Sequence, residues 1–233
     1  MIGWDSRFPE PAKVLSYSLK KHASEPLDVR FLDLRHLEDC YGFRPHADPR
    51  ATTEFTRSRF LVPWLCGYEG FAVFSDNDVL CLGDVVPLFK MAEQDPEPKA
   101  LYVVKHDHQV VDGSLKMGGV VQTSYARKNW SSVMVMNCAK LKCWTRELVE
   151  TAEPKRLHRF EDVPDDQIGE IGRVWNSLDH MTPSTRLLHW TSGMLWNDKT
   201  KTWPHQDLWL RYRKEWLASE DLDPRTPVRS QVG

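Results

Sequence analysis

Two aspartates one residue apart follow an apolar stretch and could bind a metal ion. Residues 71–80 read FAVFSDNDVL, so that Asp76 and Asp78 lie at the end of a run typical of a buried strand. Side chains alternate between the two faces of a strand, and Asp76 and Asp78 are therefore expected to project together while Asn77 points away. Two neighbouring carboxylates repel each other unless a cation joins them. The pattern predicts a site for Mn²⁺ or Mg²⁺, which take oxygen ligands and bind substrate phosphates.

The same three residues have other interpretations. Asx side chains hydrogen-bond to their own backbone, so an Asp-Asn-Asp run after a strand is also ordinary turn chemistry. A calcium loop of the EF-hand type is excluded, because Leu80 lies two residues after Asp78, where that loop needs another oxygen ligand followed by glycine. The turn and the metal site both stay open at this point.

Composition and charge limit the class of protein. The chain has 233 residues, of which 41% are hydrophobic and 27% are charged, as in a globular protein with one large core. Its formal net charge is −2, which gives no general attraction to nucleic acid. We therefore predict no nucleic-acid partner, and any phosphate recognition should be local.

Cysteine usage and hydropathy bear on the compartment. The five cysteines are odd in number and include no Cys-x-x-Cys pair, which favours reduced thiols and a cytoplasmic protein. No apolar run approaches the roughly 20 residues of a membrane helix. Charge also appears too early at the N-terminus for a signal peptide. No integral membrane segment is predicted.

Short apolar runs alternate with helical patterns along the chain. We predict strands at 1–4, 27–34, 71–80, 100–105, 120–123 and 133–136, and helices at 13–22, 53–65, 84–92 and 141–152. Pro63 is expected to distort the second helix near its end. The alternation predicts an α/β fold, a mostly parallel central sheet flanked by helices, with ligands beyond the carboxyl ends of the strands. One domain is expected at residues 1–218, followed by a flexible polar tail at 219–233.

The order of several motifs resembles a known enzyme family. In chain order these motifs are Arg59 on a helix, Asp76 with Asp78, Asp166 with Gln167, Trp175 with Asn176, and a late His189. This order resembles a GT-A glycosyltransferase and is most similar to glycosyltransferase family 8. The resemblance implies a Rossmann-like single domain with hexosyltransferase-like activity. It also implies a nucleotide-sugar donor, most often a UDP-sugar, and a glycan or other hydroxyl acceptor.

The resemblance further implies roles for individual residues. Asp76, Asp78 and His189 would hold Mn²⁺ or Mg²⁺ against the donor diphosphate. The catalytic group would comprise Asp166 and Gln167, which contact the transferring sugar, and Asn137 at the end of the 133–136 strand. The residues expected to bind the donor are Gly3, Trp4, Asp5, Arg59, Asp76 and Asn77.

The sequence departs from the family pattern at a lysine that binds the diphosphate. His189 is followed by WTSGMLW rather than by a small-residue turn and Lys-Pro-Trp. Four basic residues could replace that lysine, and the sequence does not choose between them: Lys128, Arg186, Lys199 and Lys201.

The chemistry of sugar transfer explains why such groups are needed. Breaking the C–O bond to the leaving diphosphate increases negative charge, so a cation there stabilises the transition state more than the ground state. His189 suits a third ligand because neutral imidazole binds Mn²⁺, although a lone histidine among apolar residues is often a hydrogen-bonded core residue. The resemblance implies retention of configuration, with Gln167 near the reacting carbon. Inversion would need a base, for which the candidates are Asp107, Asp165 and Asp166.

Two alternatives come from other functional classes. His106, Asp107, His108 and His180 could join Asp76, Asp78 and His189 in the site of a metal-dependent hydrolase. No His-Glu-x-x-His motif accompanies them. The ten tryptophans could instead indicate a noncatalytic sugar-binding module, because indole rings stack on sugars.

Overall fold

The computed structural model describes residues 1–48, 51–106, 127–191 and 202–219. Its strands are β1 (Ile2–Gly3), β2 (Phe31–Leu32), β3 (Phe71–Ser75), β4 (Val79–Cys81), β5 (Leu101–Val103), β6 (Val133–Asn137), β7 (Ile168–Glu170), β8 (Ser177–Leu178) and β9 (Leu187–His189). Its α-helices are α1 (Pro9–His22), α2 (Leu34–Tyr41), α3 (Val62–Leu65), α4 (Val86–Gln94), α5 (Arg146–Thr151), α6 (Pro154–His158) and α7 (Gln206–Ala218).

The central sheet has six strands in the order β2-β1-β3-β6-β5-β7. Strand β6 is antiparallel to both of its neighbours, β3 and β5, whereas the other pairings are parallel. Five strands therefore share one direction, which confirms the predicted α/β fold with a mostly parallel sheet. A second sheet has the order β4-β9-β8, in which β9 is antiparallel to β4 and parallel to β8.

Alternating side chains of the central sheet pack against helices on both faces. On one face, Phe74, Leu101 and Met134 join a core in which the rings of Phe60 and Trp144 lie 5.1 Å apart. On the other face, β5 and β6 pack against α4 through the buried residues Leu88, Ala92, Tyr102 and Val135. This three-layer arrangement buries a mostly parallel sheet from water, as such sheets require.

The predicted strand at 71–80 is wrong as a single element. Strand β3 belongs to the central sheet and β4 to the second sheet, and residues 76–78 connect them. The change of sheet places Asp76 and Asp78 where the two sheets meet, at the carboxyl end of β3. The site thus lies at the edge where ligands of α/β proteins usually bind.

Several helix boundaries differ from the predictions. Helix α1 begins at Pro9 rather than at residue 13, because proline fits the first helical turn, where no N–H bond is needed. The predicted helix at 53–65 is instead a 3₁₀ turn at Ser58–Leu61 followed by α3, and Pro63 lies in the first turn of α3 instead of distorting its end. In the 141–152 region α5 begins only after Thr145, whose hydroxyl accepts from the Leu148 amide at 3.2 Å.

Helices α2, α6 and α7 were not predicted, and the segment 27–34 forms only the short strand β2. Helix α2 follows directly, since the Asp33 side chain accepts from the Arg35 amide at 3.0 Å and Gly42 ends the helix at a φ of 63°. The predicted strand at 120–123 and the tail beyond residue 219 lie outside the described residues. Among the helices that the structure describes, none is long and apolar enough to cross a membrane.

Candidate functional site

Two acidic side chains and one imidazole meet where the two sheets join. Asp76 and Asp78 come from the connection between β3 and β4, and His189 ends β9, opposite Val79 in the antiparallel β4–β9 pair. The Trp190 amide donates to the Asp78 carbonyl at 3.0 Å, which fixes the two segments to each other. Each side chain offers one ligand atom, and these three atoms lie within 4.8 Å of one another. We call Asp76, Asp78 and His189 the Asp–Asp–His cluster.

A hydrogen-bond chain fixes the orientation and tautomer of His189. The amide nitrogen of the fully buried Asn176 donates to the Asn129 carbonyl at 3.2 Å, so that its Oδ1 must face His189 Nδ1, 2.9 Å away. Nδ1 therefore carries a proton and donates it to Asn176. In the neutral ring the lone pair of Nε2 then faces Asp78 Oδ1 at 3.3 Å. Two acceptors at this distance need a cation between them, either a proton or a metal ion.

The pKa of His189 indicates that a proton can be the cation between Nε2 and Asp78. Burial lowers the pKa of the imidazole, but the charge of Asp78, the hydrogen bond to Asp78 and the charges of Asp76 and Asp179 outweigh it. The net result is a pKa above the ordinary histidine value. The pocket around Nε2 is thus strongly suited to positive charge.

The donor set fits a divalent metal ion. Two carboxylate oxygens suit Mn²⁺ and Mg²⁺, and an imidazole nitrogen is a common ligand of transition metals. The His189 side chain is almost fully buried, whereas 29% of the Asp78 side chain is exposed, which leaves one side of the cluster open to water and substrate. The arrangement can therefore hold a metal ion and present it to an anionic ligand.

Among the described residues, no second metal site supports the hydrolase alternative. Across the four described ranges, the Asp–Asp–His cluster is the one group of three or more such side chains close enough to share an ion. His106 and His180 are not part of it. Asp107 and His108 lie outside the described residues.

Arg59 lies next to the cluster and holds Asp76. Its Nη1 is 2.7 Å from Asp76 Oδ1 and donates to the Ser131 carbonyl at 2.9 Å. The guanidinium carbon lies 5.2 Å from the centre of the Phe55 ring and 5.1 Å from that of the Phe74 ring. These contacts bury a planar cation in a fixed direction, so Arg59 orients Asp76.

The loop before β6 holds three residues of the site through backbone carbonyls. The Asn129 carbonyl accepts from Asn176, the Ser131 carbonyl from Arg59, and the Ser132 carbonyl from the Asp76 amide at 2.8 Å. Arg127 and Asn129 adopt left-handed φ values of 66° and 63° in this loop. Such strain persists only where surrounding contacts fix it. Sequence reasoning missed this loop as a support, because its contacts use backbone atoms that carry no residue signal.

Asp179 fixes the chain on both sides of His189. Its amide donates to the His189 carbonyl at 2.8 Å, and its carboxylate accepts from the amide and hydroxyl of Thr191 at 3.0 and 2.5 Å. Asp179 also has a left-handed φ of 55°. It was not among the predicted site residues.

The predicted nucleotide contacts at the end of β1 lie at the edge of the central sheet that carries the Asp–Asp–His cluster. This follows because Ile2 pairs with Ser75 in parallel register. A side chain at Gly3 would place its Cβ 2.4 Å from the Phe55 ring, so Gly3 is required for packing. The ring of Trp4 lies 5.1 Å from that of Phe31.

Two further predicted donor residues are buried at this edge. Asp5 pairs with Arg7 at 2.6 Å and is only 2% exposed. Asn77 is buried between the two cluster aspartates. Asp5 thus has a structural partner and Gly3 is needed for packing, and the fold brings both to the edge of the central sheet that carries the cluster.

Asn137 lies at the end of β6 that points away from the cluster, and its place in the catalytic group stays a prediction. Because β6 is antiparallel to β3, Asn137 at its end pairs with Phe71, and Val133 at its start pairs with Ser75. Four residues of strand, about 13 Å, separate the level of Phe71 from that of Ser75 and the cluster. The beginning of β6, rather than its end, reaches the site.

The predicted contacts of Asp166 and Gln167 with the transferring sugar also stay predictions. They form a 3₁₀ turn before β7, which runs parallel to β5 with Ile168 opposite Leu101. The Gln167 carbonyl accepts from the Ala100 amide at 3.0 Å, and the Ala100 carbonyl accepts from the Asn137 amide at the same distance. Asn137 and Gln167 are therefore joined through Ala100. Asp165, in the same turn as Gln167, pairs with Arg127 of the loop before β6.

The four basic residues that could bind the diphosphate lie in different parts of the chain, and the structure describes two of them. Lys128 lies in the loop before β6 and is 5% exposed. Arg186 precedes β9, and its side chain packs over Gly83, so it lies at the end of β9 far from His189. Lys199 and Lys201 lie outside the described residues. Of the two described candidates, Lys128 is the nearer to the site.

Replacing Asn176 by leucine should weaken metal binding by about 10–100-fold, the usual cost of losing the group that orients a metal-bound histidine. The change removes the acceptor that fixes the His189 tautomer and leaves the Asn129 carbonyl without its amide donor. Isothermal titration with Mn²⁺ would measure it. Ser177→Ala is the matched control, because that hydroxyl contacts Arg173 and Thr185 rather than His189. Equal Mn²⁺ affinity in Asn176→Leu and wild type would contradict the assignment.

Solved structures of similar fold are glycosyltransferases. Apo GlyE from Streptococcus pneumoniae TIGR4 is 15% identical with a TM-score of 0.57, and the match covers 93% of this chain and 62% of GlyE. The galactosyltransferase LgtC, solved with donor and acceptor sugar analogs, is 13% identical with a TM-score of 0.57, and the match covers 92% of this chain and 94% of LgtC. At these identities the likeness shows the fold, which is the GT-A fold that the sequence predicted.

Sequence comparison identifies a closer relative. No protein-family model matches the chain, so the resemblance to glycosyltransferase family 8 stays a prediction. Protein CDI from Arabidopsis thaliana is 34% identical over 225 residues, which cover 92% of this chain and 85% of protein CDI. Identity at this level over nearly the whole length places the two proteins together, and the chain belongs to the family of protein CDI.

Proposed function

We propose that the chain is a metal-dependent glycosyltransferase, which transfers a sugar from a nucleotide sugar to a hydroxyl acceptor such as a glycan. The observation that carries the proposal is the Asp–Asp–His cluster at the carboxyl edge of a GT-A sheet. A UDP-sugar is the first donor to test, and a hexose the first sugar. GlyE and LgtC support the class of reaction, although the chain spans only 62% of the length of GlyE.

The residues of the site would act on the donor diphosphate. Asp76, Asp78 and His189 would hold Mn²⁺ or Mg²⁺, and the bound ion would neutralise the charge that grows on the leaving diphosphate. Arg59 keeps Asp76 oriented, and Asn176 keeps Nε2 of His189 directed at the cluster. Fixed ligands cost little reorganisation during the reaction, which favours the transition state.

The transfer breaks one bond and forms one. The C–O bond between the sugar and the diphosphate breaks, a bond forms between the same carbon and the acceptor oxygen, and the acceptor hydroxyl loses its proton. In a retaining route the departing phosphate oxygen takes that proton. Retention is the proposed stereochemistry, with Gln167 near the reacting carbon, and the Asp165 carboxylate already pairs with Arg127.

The proposal is tested by thermal unfolding with UDP, GDP, CDP and dTDP, each with and without Mn²⁺. A ligand at about 100 times its dissociation constant adds roughly 2.7 kcal/mol of stability. We expect a rise in unfolding temperature that needs both Mn²⁺ and one nucleotide, which identifies the base of the donor. No rise with any pair would reject a nucleotide-sugar enzyme. The anomeric proton coupling of the product then distinguishes retention from inversion.

A further inference from the structure

A cavity of about 740 Å³ lies over strand β3, on the face of the central sheet that packs against α4. On this face α4 covers β5 and β6 through Leu88 and Ala92, and α1 packs against β1 and β4 through Ala12 and Leu15. The cavity occupies the space between the two helices and is bounded on one side by residues 25–30. None of the three cluster residues lines it, so it is distinct from the site of the proposed transfer.

The cavity leaves apolar side chains of an interior strand partly uncovered. Phe71 and Val73 share one face of β3 and line the cavity, and both are only partly buried although β3 has a strand on each side. Leu27 and Val29 from the segment before β2, and Phe89 from α4, extend the apolar wall. Interior strands of a mostly parallel sheet are usually covered on both faces. The space over β3 therefore suits an apolar group of a small ligand, which would bury these side chains.

Backbone and side-chain bonds hold the wall at residues 25–30 in place. The Arg30 carbonyl accepts from the Ile2 amide at 2.8 Å, which joins this wall to β1. On the other side, the amide and hydroxyl of Ser24 donate to the Asp84 carboxylate, just before α4, at 3.1 and 2.6 Å. The cavity is thus formed before any ligand enters, and binding costs little ordering of the protein.

The charges that line the cavity are mostly negative. Four acidic and two basic side chains line it: Glu25, Asp28, Arg30, Glu69, Lys90 and Glu93. Both basic groups are already paired, Arg30 with Asp28 at 2.6 Å and Lys90 with Glu25 at 2.5 Å. Glu69 and Glu93 are exposed, and neither forms a salt bridge with another residue in the parts of the chain that the structure describes. These two carboxylates therefore favour a cationic group on the ligand.

Glu69 and Glu93 lie toward the same end of the cavity. Glu69 precedes β3 by two residues, and Glu93 lies near the end of α4, before the chain enters β5. The start of β5 is level with the start of β3, since Leu101 and Ala72 both pair with Met136. A cation between the two carboxylates would leave the rest of the ligand to extend along β3.

We propose that this cavity binds a small amphipathic amine, with its apolar body against Phe71 and Val73 and its ammonium group beside Glu69 and Glu93. Burial of the apolar wall supplies the affinity, and the carboxylates select a cation over a neutral or anionic ligand. The site uses neither the metal nor the nucleotide, so it stands or falls independently of the proposed transferase.

Three probes with the same apolar chain test the charge preference by isothermal titration of the full chain near neutral pH: octylamine, octanol and octanoate. Octylamine should bind most tightly and octanoate most weakly, and the difference should shrink with added salt. Glu69→Gln and Glu93→Gln should each weaken octylamine binding by about two- to fivefold, as for an exposed ion pair, and leave octanol binding unchanged. Glu97→Gln is the matched control, because Glu97 is exposed and does not line the cavity.

Filling the cavity tests its location. Val73→Phe places a ring in the space over β3 and should abolish binding of all three probes, and Leu27→Trp should do the same from the wall at residues 25–30 if the first variant folds poorly. The unfolding temperature without ligand shows which variants fold. Unchanged octylamine affinity in a folded variant with a filled cavity would place binding elsewhere. Octanoate binding as tight as that of octylamine, or no saturable octylamine binding to the wild type, would reject the amine site.

Discussion

Replacing Asp78 by asparagine should abolish the Mn²⁺-dependent part of the stabilisation by a nucleoside diphosphate. The amide has nearly the shape of the carboxylate but no charge, and its nitrogen can donate to His189 Nε2, the atom that the carboxylate faces at 3.3 Å. The fold should therefore survive without the metal. The loss should amount to the full ligand contribution, about 2.7 kcal/mol at 100 times the dissociation constant.

The measurement is the unfolding temperature with nucleotide alone, Mn²⁺ alone and both together. Asp39→Asn makes the same chemical change at an exposed position near the end of α2, away from the cluster, and should behave as wild type. A Mn²⁺-dependent shift that survives in Asp78→Asn would remove Asp78 from the metal site. A shift lost in Asp39→Asn as well would show that the effect is not specific to the cluster.

Replacing Arg59 by methionine should destabilise the metal-free protein by about 3–5 kcal/mol, since removal of one partner of a buried ion pair leaves the other charge uncompensated. The carboxylate that remains is Asp76, whose side chain is only 14% exposed. Mn²⁺ should restore part of this loss, because a bound cation replaces the lost charge. Metal stabilisation should thus be larger in the variant than in wild type.

Urea unfolding with and without Mn²⁺ measures both effects. The double variant Arg59→Met/Asp76→Asn should recover much of the lost stability in the absence of metal, but should gain little from Mn²⁺. Arg35→Met serves as the control because Arg35 is exposed on α2. Equal stability of Arg59→Met and wild type would mean that Asp76 does not depend on the guanidinium.

The three residues of the Asp–Asp–His cluster could be proposed from the sequence because residue type and order carry the signal. Two carboxylates separated by one residue after an apolar run, and an imidazole at the end of a later run, restrict the chemistry even when element boundaries are wrong. The single strand predicted at 71–80 is in fact two strands in two sheets, yet Asp76 and Asp78 still meet His189.

The sequence carries no comparable signal for the direction in which a strand runs. Residues 133–136 are apolar whether the strand runs parallel or antiparallel to its neighbours, and only the pairing of Val133–Asn137 with Phe71–Ser75 shows that it is antiparallel. The sequence therefore predicts Asn137 in the catalytic group without indicating that it ends the strand on the side away from the cluster. The same limit applies to the loop at 127–132, whose contribution is made by carbonyl groups that every residue possesses.

Helix ends were harder to place than helix interiors, although some of their signals are present. Asp33 and Gly42 bracket α2 with an N-cap and a left-handed end, and these could have identified the helix from the sequence. The helix predicted at 13–22 leaves out Pro9 and Pro11, but proline in a first helical turn keeps every bond that the turn needs. A proline can therefore end a helix or begin one, and the local sequence does not decide between the two. The surrounding fold does.

Because β6 is antiparallel to its neighbours, the two ends of the central sheet tolerate different changes of sequence. The edge that carries the cluster also receives the loop before β6, so an insertion or deletion in that loop would displace Asp76, Arg59 and Asn176 together. At the other edge, backbone bonds join Asn137 to Ala100, Ala100 to Gln167, and Cys138 to Gly70. Changes of sequence there affect the stability of the sheet without reaching the cluster, and a new binding surface could arise at that edge without loss of the old one.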